Sequence, residues 1–198
     1  GILDGTIDSS KSTYYLRIVS DEVKRLSRLV TGMLNMSKIE AGQLKIQPKE
    51  FDISAMTFKT MLGFERAIDE KKIEIRGLDK VEPLNICADE DMINQVVYNL
   101  IDNAVKFTPE GGKVEVKLVE TNKEAIVKIK DNGIGMDEET RRRMYDKYFR
   151  AEKSRTTHGN GLGLATVKRI AELLDLKIDV VSAPGEGAEF TVTHKKKK

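Results

Sequence analysis

The chain has 198 residues, of which 39% are hydrophobic and 33% charged, with a formal net charge of +2. Such a length supports one ordinary domain with a smaller attachment, and the composition is that of a globular protein with a charged surface. Four of the 34 basic residues are Lys195 to Lys198, and the 30 that remain face 32 acidic ones, a balance that excludes nucleic acid as the expected partner.

A single cysteine, Cys87, excludes an internal disulfide, fits a reducing compartment, and reads as a buried strand residue within the apolar stretch 84–88. No apolar run reaches the length of a membrane span and there is no signal peptide, so no direct membrane contact is expected. The opening Gly-Ile-Leu-Asp-Gly, without methionine, reads as part of something longer.

Residues 1–10 carry turn signals, with Asp8, Ser9 and Ser10 as candidate helix caps. From Ser12 to Ala41, Leu16, Val19, Val23, Leu26, Val30 and Met33 follow spacings of three and four, a heptad seam widened by Leu29, Leu34 and Met36. A stripe so broad suits a helical bundle and needs a partner to cover it. Gly42 is placed to end that helix. A short strand and connector follow over 44–52, then a helix from Ile53 to about Lys71, with strands at Ile73–Arg76 and Leu84–Ala88. Asp89 is the candidate cap of the next helix. Lys113–Glu120 and Ala125–Lys130 alternate as hairpin strands around the turn 121–124. A polar, glycine-rich stretch runs from Asp131 to about Gly161. A helix over 162–174 and strands at 177–182 and 188–193 close the chain, and Lys195–Lys198 reads as a solvated tail.

Within the segment YNLIDNAVKFTPEGG, Asn99 and Asn103 lie four residues apart on a helix that reads as mostly apolar, and Lys106 joins their face three residues on. Asparagine is a poor helix-interior residue, so the row calls for a reason. DNGIG, Asp131 to Gly135, puts a carboxylate at a strand end before two glycines that permit close backbone approach, although Asp-Asn-Gly is also an ordinary turn. GNGLGL, from Gly159, enters a helix whose free N–H groups can seat a phosphate. It is neither a Walker loop nor the dinucleotide fingerprint, and a flexible loop is its bland reading. MYDKYFRAEKSR mixes Tyr145, Tyr148 and Phe149 with Lys147, Arg150, Lys153 and Arg155. SAPGEGAEF is explained by a tight turn between two strands.

The order and spacing of these segments resemble the catalytic, ATP-binding domain of bacterial sensor histidine kinases, in the superfamily of gyrase, Hsp90, histidine kinases and MutL. The resemblance covers about residues 44–194. The run SDEVKRLSRLVTGMLNMSKIEAGQL, residues 20–44, is similar to the second helix of that family's dimerisation and histidine-phosphotransfer bundle. It implies three parts: a partial bundle segment over 1–43, the ATP-binding domain over 44–194, and a basic tail over 195–198. The implied fold is a two-layer α/β sandwich of the Bergerat type, with helices on one face of a mixed sheet, preceded by the long amphipathic helix.

By that likeness Asn103 holds Mg²⁺, Asn99 lines the pocket a turn earlier, Lys106 faces the phosphates and Phe107 lies beside the nucleotide. Asp131 accepts a hydrogen bond from the adenine amino group, and Gly133 and Gly135 let the backbone pass close to the base. Gly159, Gly161, Leu162 and Gly163 wrap the phosphates, with Leu164 beginning the helix behind them. Arg150 matches the lid arginine near the terminal phosphate, and Tyr148 and Lys153 complete the nucleotide set. Asn99, Lys106 and Arg150 are the residues implied in catalysis.

Superfamily members that hydrolyse ATP carry a glutamate where Asn99 stands, so slow hydrolysis is implied. The implied reaction is transfer of the γ-phosphoryl group to a histidine and then to the aspartate of a response regulator receiver domain. A homodimer through the bundle helix, a cytoplasmic location and a membrane-anchored parent belong to the same resemblance. His158 and His194 fall outside any bundle helix, so the acceptor histidine is expected elsewhere. The alternatives are an ATPase or clamp of the same superfamily, a serine kinase of the anti-sigma type, and a non-catalytic nucleotide-binding or dimerisation module.

Overall fold

Two aspartates start the helices on which the larger part of the molecule is built. In the computed structural model the described residues are 45–78, 82–151 and 161–196, together with 14–16, 18–20, 23, 26 and 30. The chain divides into two compact units, Gly1–Leu44 and Lys45–Lys198. The second contains, in order, β1 (Lys49–Asp52), α1 (Ile53–Leu62), α2 (Glu65–Glu70), β2 (Glu74–Arg76), β3 (Asn85–Ala88), α3 (Glu90–Phe107), β4 (Lys113–Glu120), β5 (Glu124–Asp131), α4 (Glu138–Arg143), α5 (Gly163–Leu174), β6 (Lys177–Ser182) and β7 (Ala188–Lys195).

In the first unit the described residues are helical, and Leu16, Val19, Val23, Leu26 and Val30 are each between 47% and 60% exposed. The rest of that predicted seam, Leu29, Met33, Leu34 and Met36, and the stop at Gly42 lie outside the described residues.

In the second unit Asp52 caps α1, its Oδ1 accepting the N–H groups of Ser54 at 2.9 Å and Ala55 at 3.3 Å. Asp89 caps α3 through Oδ1, which accepts the Met92 N–H at 3.1 Å, while its Oδ2 takes the Gln47 N–H. One face of α3 supplies Val96, Val97, Leu100, Ile101 and Ala104, none more than 2% exposed. Burying each of the larger of these stabilises the fold by roughly 1.5–3 kcal/mol. The helix packs on α1, α5 and β5.

Five strands form a mixed sheet in the order β2-β4-β5-β7-β6, with β2 parallel to β4 and the other pairs antiparallel. Alternation along β4, β5 and β7 turns Val114, Val116, Val127, Ile129, Phe190 and Val192 into the core. The result is the two-layer α/β sandwich that the sequence implies. A separate antiparallel pair, β1 with β3, lies outside this sheet. Among the described residues no helix is long and apolar enough to cross a membrane.

Several expectations are corrected. Cys87 is exposed, because β3 alternates and Ile86 and Ala88 take the inward face. The helix expected from Ile53 to Lys71 breaks at Gly63, where Phe64 turns inward against Tyr98 with ring centroids 5.1 Å apart. The polar stretch after Asp131 contains α4, capped by Asp137, whose Oδ1 accepts the Thr140 N–H at 2.8 Å. Lys195 and Lys196 are not a solvated tail: β7 runs through Lys195, and the Lys196 N–H donates to Lys123 O at 2.8 Å.

The C-terminus of α3 is closed by a residue that pattern reading passed over. The Lys71 ammonium donates to Val105 O, Lys106 O and Thr108 O, each at 2.8 Å, and burial lowers its pKa. Lys71→Met leaves three carbonyls without their donor and is expected to cost about 1–3 kcal/mol in urea unfolding. An unchanged midpoint would mean that water replaces the ammonium without loss.

Candidate nucleotide site

The pleat of β5 that buries Ala125, Val127 and Ile129 also turns Asp131 inward, where it is 7% exposed. Its Oδ1 accepts the Gly133 N–H at 2.8 Å and the Ala188 N–H at 3.3 Å. Burial pushes the carboxyl above the ordinary aspartate range, and the two N–H groups only partly offset this. The carboxylate therefore sits at a site that disfavours its charge and retains an oxygen, Oδ2, with no protein donor among the described residues.

Gly133 has no room for a side chain: a Cβ there would lie 2.4 Å from Phe107 O. Phe107 O in turn accepts the Ile134 N–H at 3.3 Å, which ties this loop to the end of α3. At Gly135 φ is +63°, and a Cβ would lie 1.9 Å from Ala183 O in the turn between β6 and β7.

Asn99, Asn103 and Lys106 line one face of α3, and all three are half-buried. The Asn99 Nδ2 is sealed from solvent and has no hydrogen-bond partner among the described residues. Beside it begins α5, where a Cβ on Gly163 would lie 3.6 Å from Asn99 Oδ1. Leu162, at the N-cap of α5, makes no side-chain capping bond. The Lys106 pKa is lowered chiefly by burial and further by the positive charge of Arg150, while Asp102 acts in the opposite sense. Lys106 is thus a partly desolvated cation with a carboxylate, Asp102, and a second cation, Arg150, within electrostatic reach. The Lys106 ammonium also lies 4.9 Å from the centre of the Phe107 ring.

Arg150, Gly161, Leu162 and Leu164 flank the start of α5, with Leu162 buried and the other three half-buried. Tyr148 is 64% exposed and holds a φ of +63°, its N–H donating to Gly161 O at 3.0 Å. Lys153, His158 and Gly159 lie outside the described residues. His194 lies on β7, paired with Ala125. Among the described residues no three His, Cys, Asp or Glu side chains gather to hold a metal ion. A divalent ion at this site would thus lean on ligand oxygens together with an amide such as that of Asn103, which suits Mg²⁺.

Residues 88–198, which contain every one of these groups, match the model of the histidine kinase-, DNA gyrase B-, and HSP90-like ATPase family. The chain belongs to this family. Among its curated relatives, the sensory kinase SasA of Crocosphaera subtropica is 30% identical over 174 residues, 87% of this chain and 46% of that protein. The sensor protein SrrB of Staphylococcus aureus is 33% identical over 202 residues, 96% of this chain and 33% of that protein. The chain thus spans less than half the length of either. The crystal structure of full-length ShkA in complex with AMPPNP superimposes with a TM-score of 0.78 at 25% identity, covering 99% of this chain and 41% of that one. Within the family the chain is a catalytic domain of the sensor histidine kinase type.

The turn SAPGEGAEF does more in this domain than join two strands, since Ala188 supplies a donor to Asp131 and Ala183 packs on Gly135. Sequence reading missed this contribution; the glycines of the turn were the available signal. Gly135→Ala combines left-handed strain with a backbone clash and is expected to cost about 2 kcal/mol or more. Gly111→Ala, where φ is +72° with nothing within 4 Å of a Cβ, is the comparison and should cost less. Equal midpoints for the two variants in urea would show that the 183–187 turn simply moves aside.

Proposed function

We propose that the chain binds ATP with Mg²⁺ and passes the γ-phosphoryl group to a histidine, for relay to an aspartate of a response regulator. The observation that carries this reading is the buried Asp131 carboxylate, whose Oδ2 accepts from no described residue, together with the polar row Asn99, Asn103 and Lys106 on one face of α3. Buried polar groups are almost always paired, and a carboxylate oxygen left open at the end of β5 points to a ligand that supplies the donor.

Asp131 reads the base. Its free oxygen accepts the adenine amino group, whereas the 6-oxo group of guanine would meet it acceptor to acceptor. Gly133 and Gly135 admit the ring edge, and Phe107 and the exposed Tyr148 flank the nucleotide. Lys106, Arg150 and the opening of α5 at Gly161, Leu162, Gly163 and Leu164 hold the phosphates, with Lys153 and Gly159 completing the set. Asn103 is the protein ligand for Mg²⁺, which when bound neutralises charge on the phosphates.

In the transfer, the bond between the γ-phosphorus and its bridging oxygen breaks and a phosphorus–nitrogen bond forms on the imidazole. ADP leaves with the electron pair, and the imidazole gives up its proton. The chain's own residues act by orientation and charge neutralisation. Asn99 lacks a basic lone pair and cannot activate water, so ATP stays intact until the acceptor arrives. The exposed stripe of Leu16, Val19, Val23, Leu26 and Val30 supports reading 1–43 as a partial bundle that forms a homodimer and 44–194 as the catalytic domain. A longer, membrane-anchored parent is part of this reading.

Calorimetric titration with a non-hydrolysable ATP analogue and Mg²⁺ tests it: Asn103→Ala should weaken binding by roughly tenfold or more. No binding by the parent chain would overturn the reading, and steady-state phosphate release well above background would favour the ATPase alternative. The same titration repeated at falling pH tests Asp131. Its ionised form is the stronger acceptor for the adenine amino group, and its folded pKa is raised. Affinity should therefore decline as pH falls through a value above the ordinary aspartate range. Asp131→Asn keeps an acceptor for Gly133 and Ala188 but removes the buried charge. Its Tm should equal or exceed that of the parent while adenine binding is lost, and a large drop in Tm would assign Asp131 to folding instead.

A further inference from the structure

We propose that Ser182 is the positioning residue for base selectivity, by tying the β6–β7 turn to the loop that follows Asp131; this rests on the nucleotide reading above. Ser182 is the last residue of β6 and is half-buried. Its hydroxyl donates to Gly187 O at 2.7 Å and accepts the Met136 N–H at 2.9 Å. Donor and acceptor capacity are both in use.

The two backbone groups it joins belong to the two segments that hold Asp131. On one side, Gly133 supplies the 2.8 Å bond to Oδ1, and Met136 ends the same loop. On the other, Gly187 precedes Ala188, whose N–H makes the longer 3.3 Å bond to the same oxygen. The segments touch elsewhere through the Gly185 N–H, which donates to Ile134 O at 2.8 Å, and through Gly187, where a Cβ would lie 2.0 Å from Asp131 O. Like Asp131, the Ser182 side chain bonds both segments.

Of the two donors to Asp131, the Ala188 N–H is the less secure, and it lies one residue from the carbonyl that Ser182 holds. Removal of the hydroxyl leaves Met136 N–H and Gly187 O without this partner and loosens the peptide between Gly187 and Ala188, although the β6–β7 pairing and the Gly185–Ile134 bond still hold the turn. The already long Ala188 bond to Oδ1 then weakens, and the carboxylate gains freedom to rotate about the Gly133 bond. The oxygen aimed at the base loses its fixed direction, which is the property that distinguishes an amino group from a carbonyl at the same ring position.

The test measures affinity for non-hydrolysable analogues of ATP and GTP, with Mg²⁺, for the parent, Ser182→Ala, Ser182→Thr and Asp131→Asn, together with Tm. Ser182→Ala should bind the ATP analogue about tenfold more weakly with GTP-analogue affinity little changed, and Ser182→Thr should restore the ratio. If Ser182→Ala does not fold, Ser182→Cys, near in size but a weak hydrogen-bonding group, should show the same narrowing. An unchanged ratio, or an equal loss for both nucleotides alongside a lowered Tm, overturns the proposal and leaves Ser182 structural. Loss of ATP-analogue binding in Asp131→Asn alongside an unchanged ratio in Ser182→Ala rejects only this inference. Absence of adenine binding by the parent rejects the nucleotide reading as well.

Discussion

The site depends on how α3 ends. A helix leaves its last carbonyls without intrahelical partners, and here each taker comes from a different part of the chain. Ala104 O accepts both the N–H and the hydroxyl of Thr108. Val105 O and Lys106 O accept from the Lys71 ammonium, and Phe107 O accepts from Ile134. The last of these bonds also brings the DNGIG loop against the helix, at the point where Gly133 has no space for a side chain. The termination of one helix thus fixes the distance between the row Asn99, Asn103, Lys106 and the carboxylate of Asp131.

Three groups in this region work against stability. The Asn99 Nδ2 is sealed with no partner among the described residues, the Asp131 carboxylate is buried at a raised pKa, and the Lys106 ammonium is partly desolvated. Lys71 gives the contrast. It too is partly desolvated, yet it has three carbonyl partners and explains itself as a helix terminator. On the reading proposed here, the first three are incomplete until a nucleotide supplies an anion, a base and oxygen ligands. Costly features that the fold does not resolve mark the site more sharply than any single motif.

The scaffold was legible where local chemistry agrees with pattern. Asp89 and the apolar periodicity define α3, and alternation with a short polar turn defines the β4–β5 hairpin. Pattern failed where tertiary context decides. Four apolar residues among the five over 84–88 conceal the alternation that leaves Cys87 outside. Gly63 interrupts an otherwise continuous helical pattern because Phe64 has a core position to fill. The acidic start and basic end of α4 were a usable signal hidden in a glycine-rich neighbourhood. Asn99, Asn103 and Lys106 were visible together because one helix carries all three. The bracing of Asp131 was not, since Ala188 is 57 positions away and Ser182 acts through Met136 across 46. Only the strand order β5-β7-β6 brings them together.

The two ends of the proposed nucleotide pocket are built from different materials, and this has a consequence for what each can do. The end near Asp131 is made mostly of backbone: two N–H donors, glycines without room for a Cβ, and a turn held by the Gly185–Ile134 bond and the Ser182 hydroxyl. Such a surface cannot adjust without breaking hydrogen bonds, so it suits recognition of a fixed aromatic edge. The phosphate end relies instead on long side chains, Lys106 and Arg150, both half-buried. Each can follow charge as it moves. Discrimination at the rigid end and charge redistribution at the adaptable one are therefore separable, and a change at Asp131 need not alter how the phosphates are held once another base is bound.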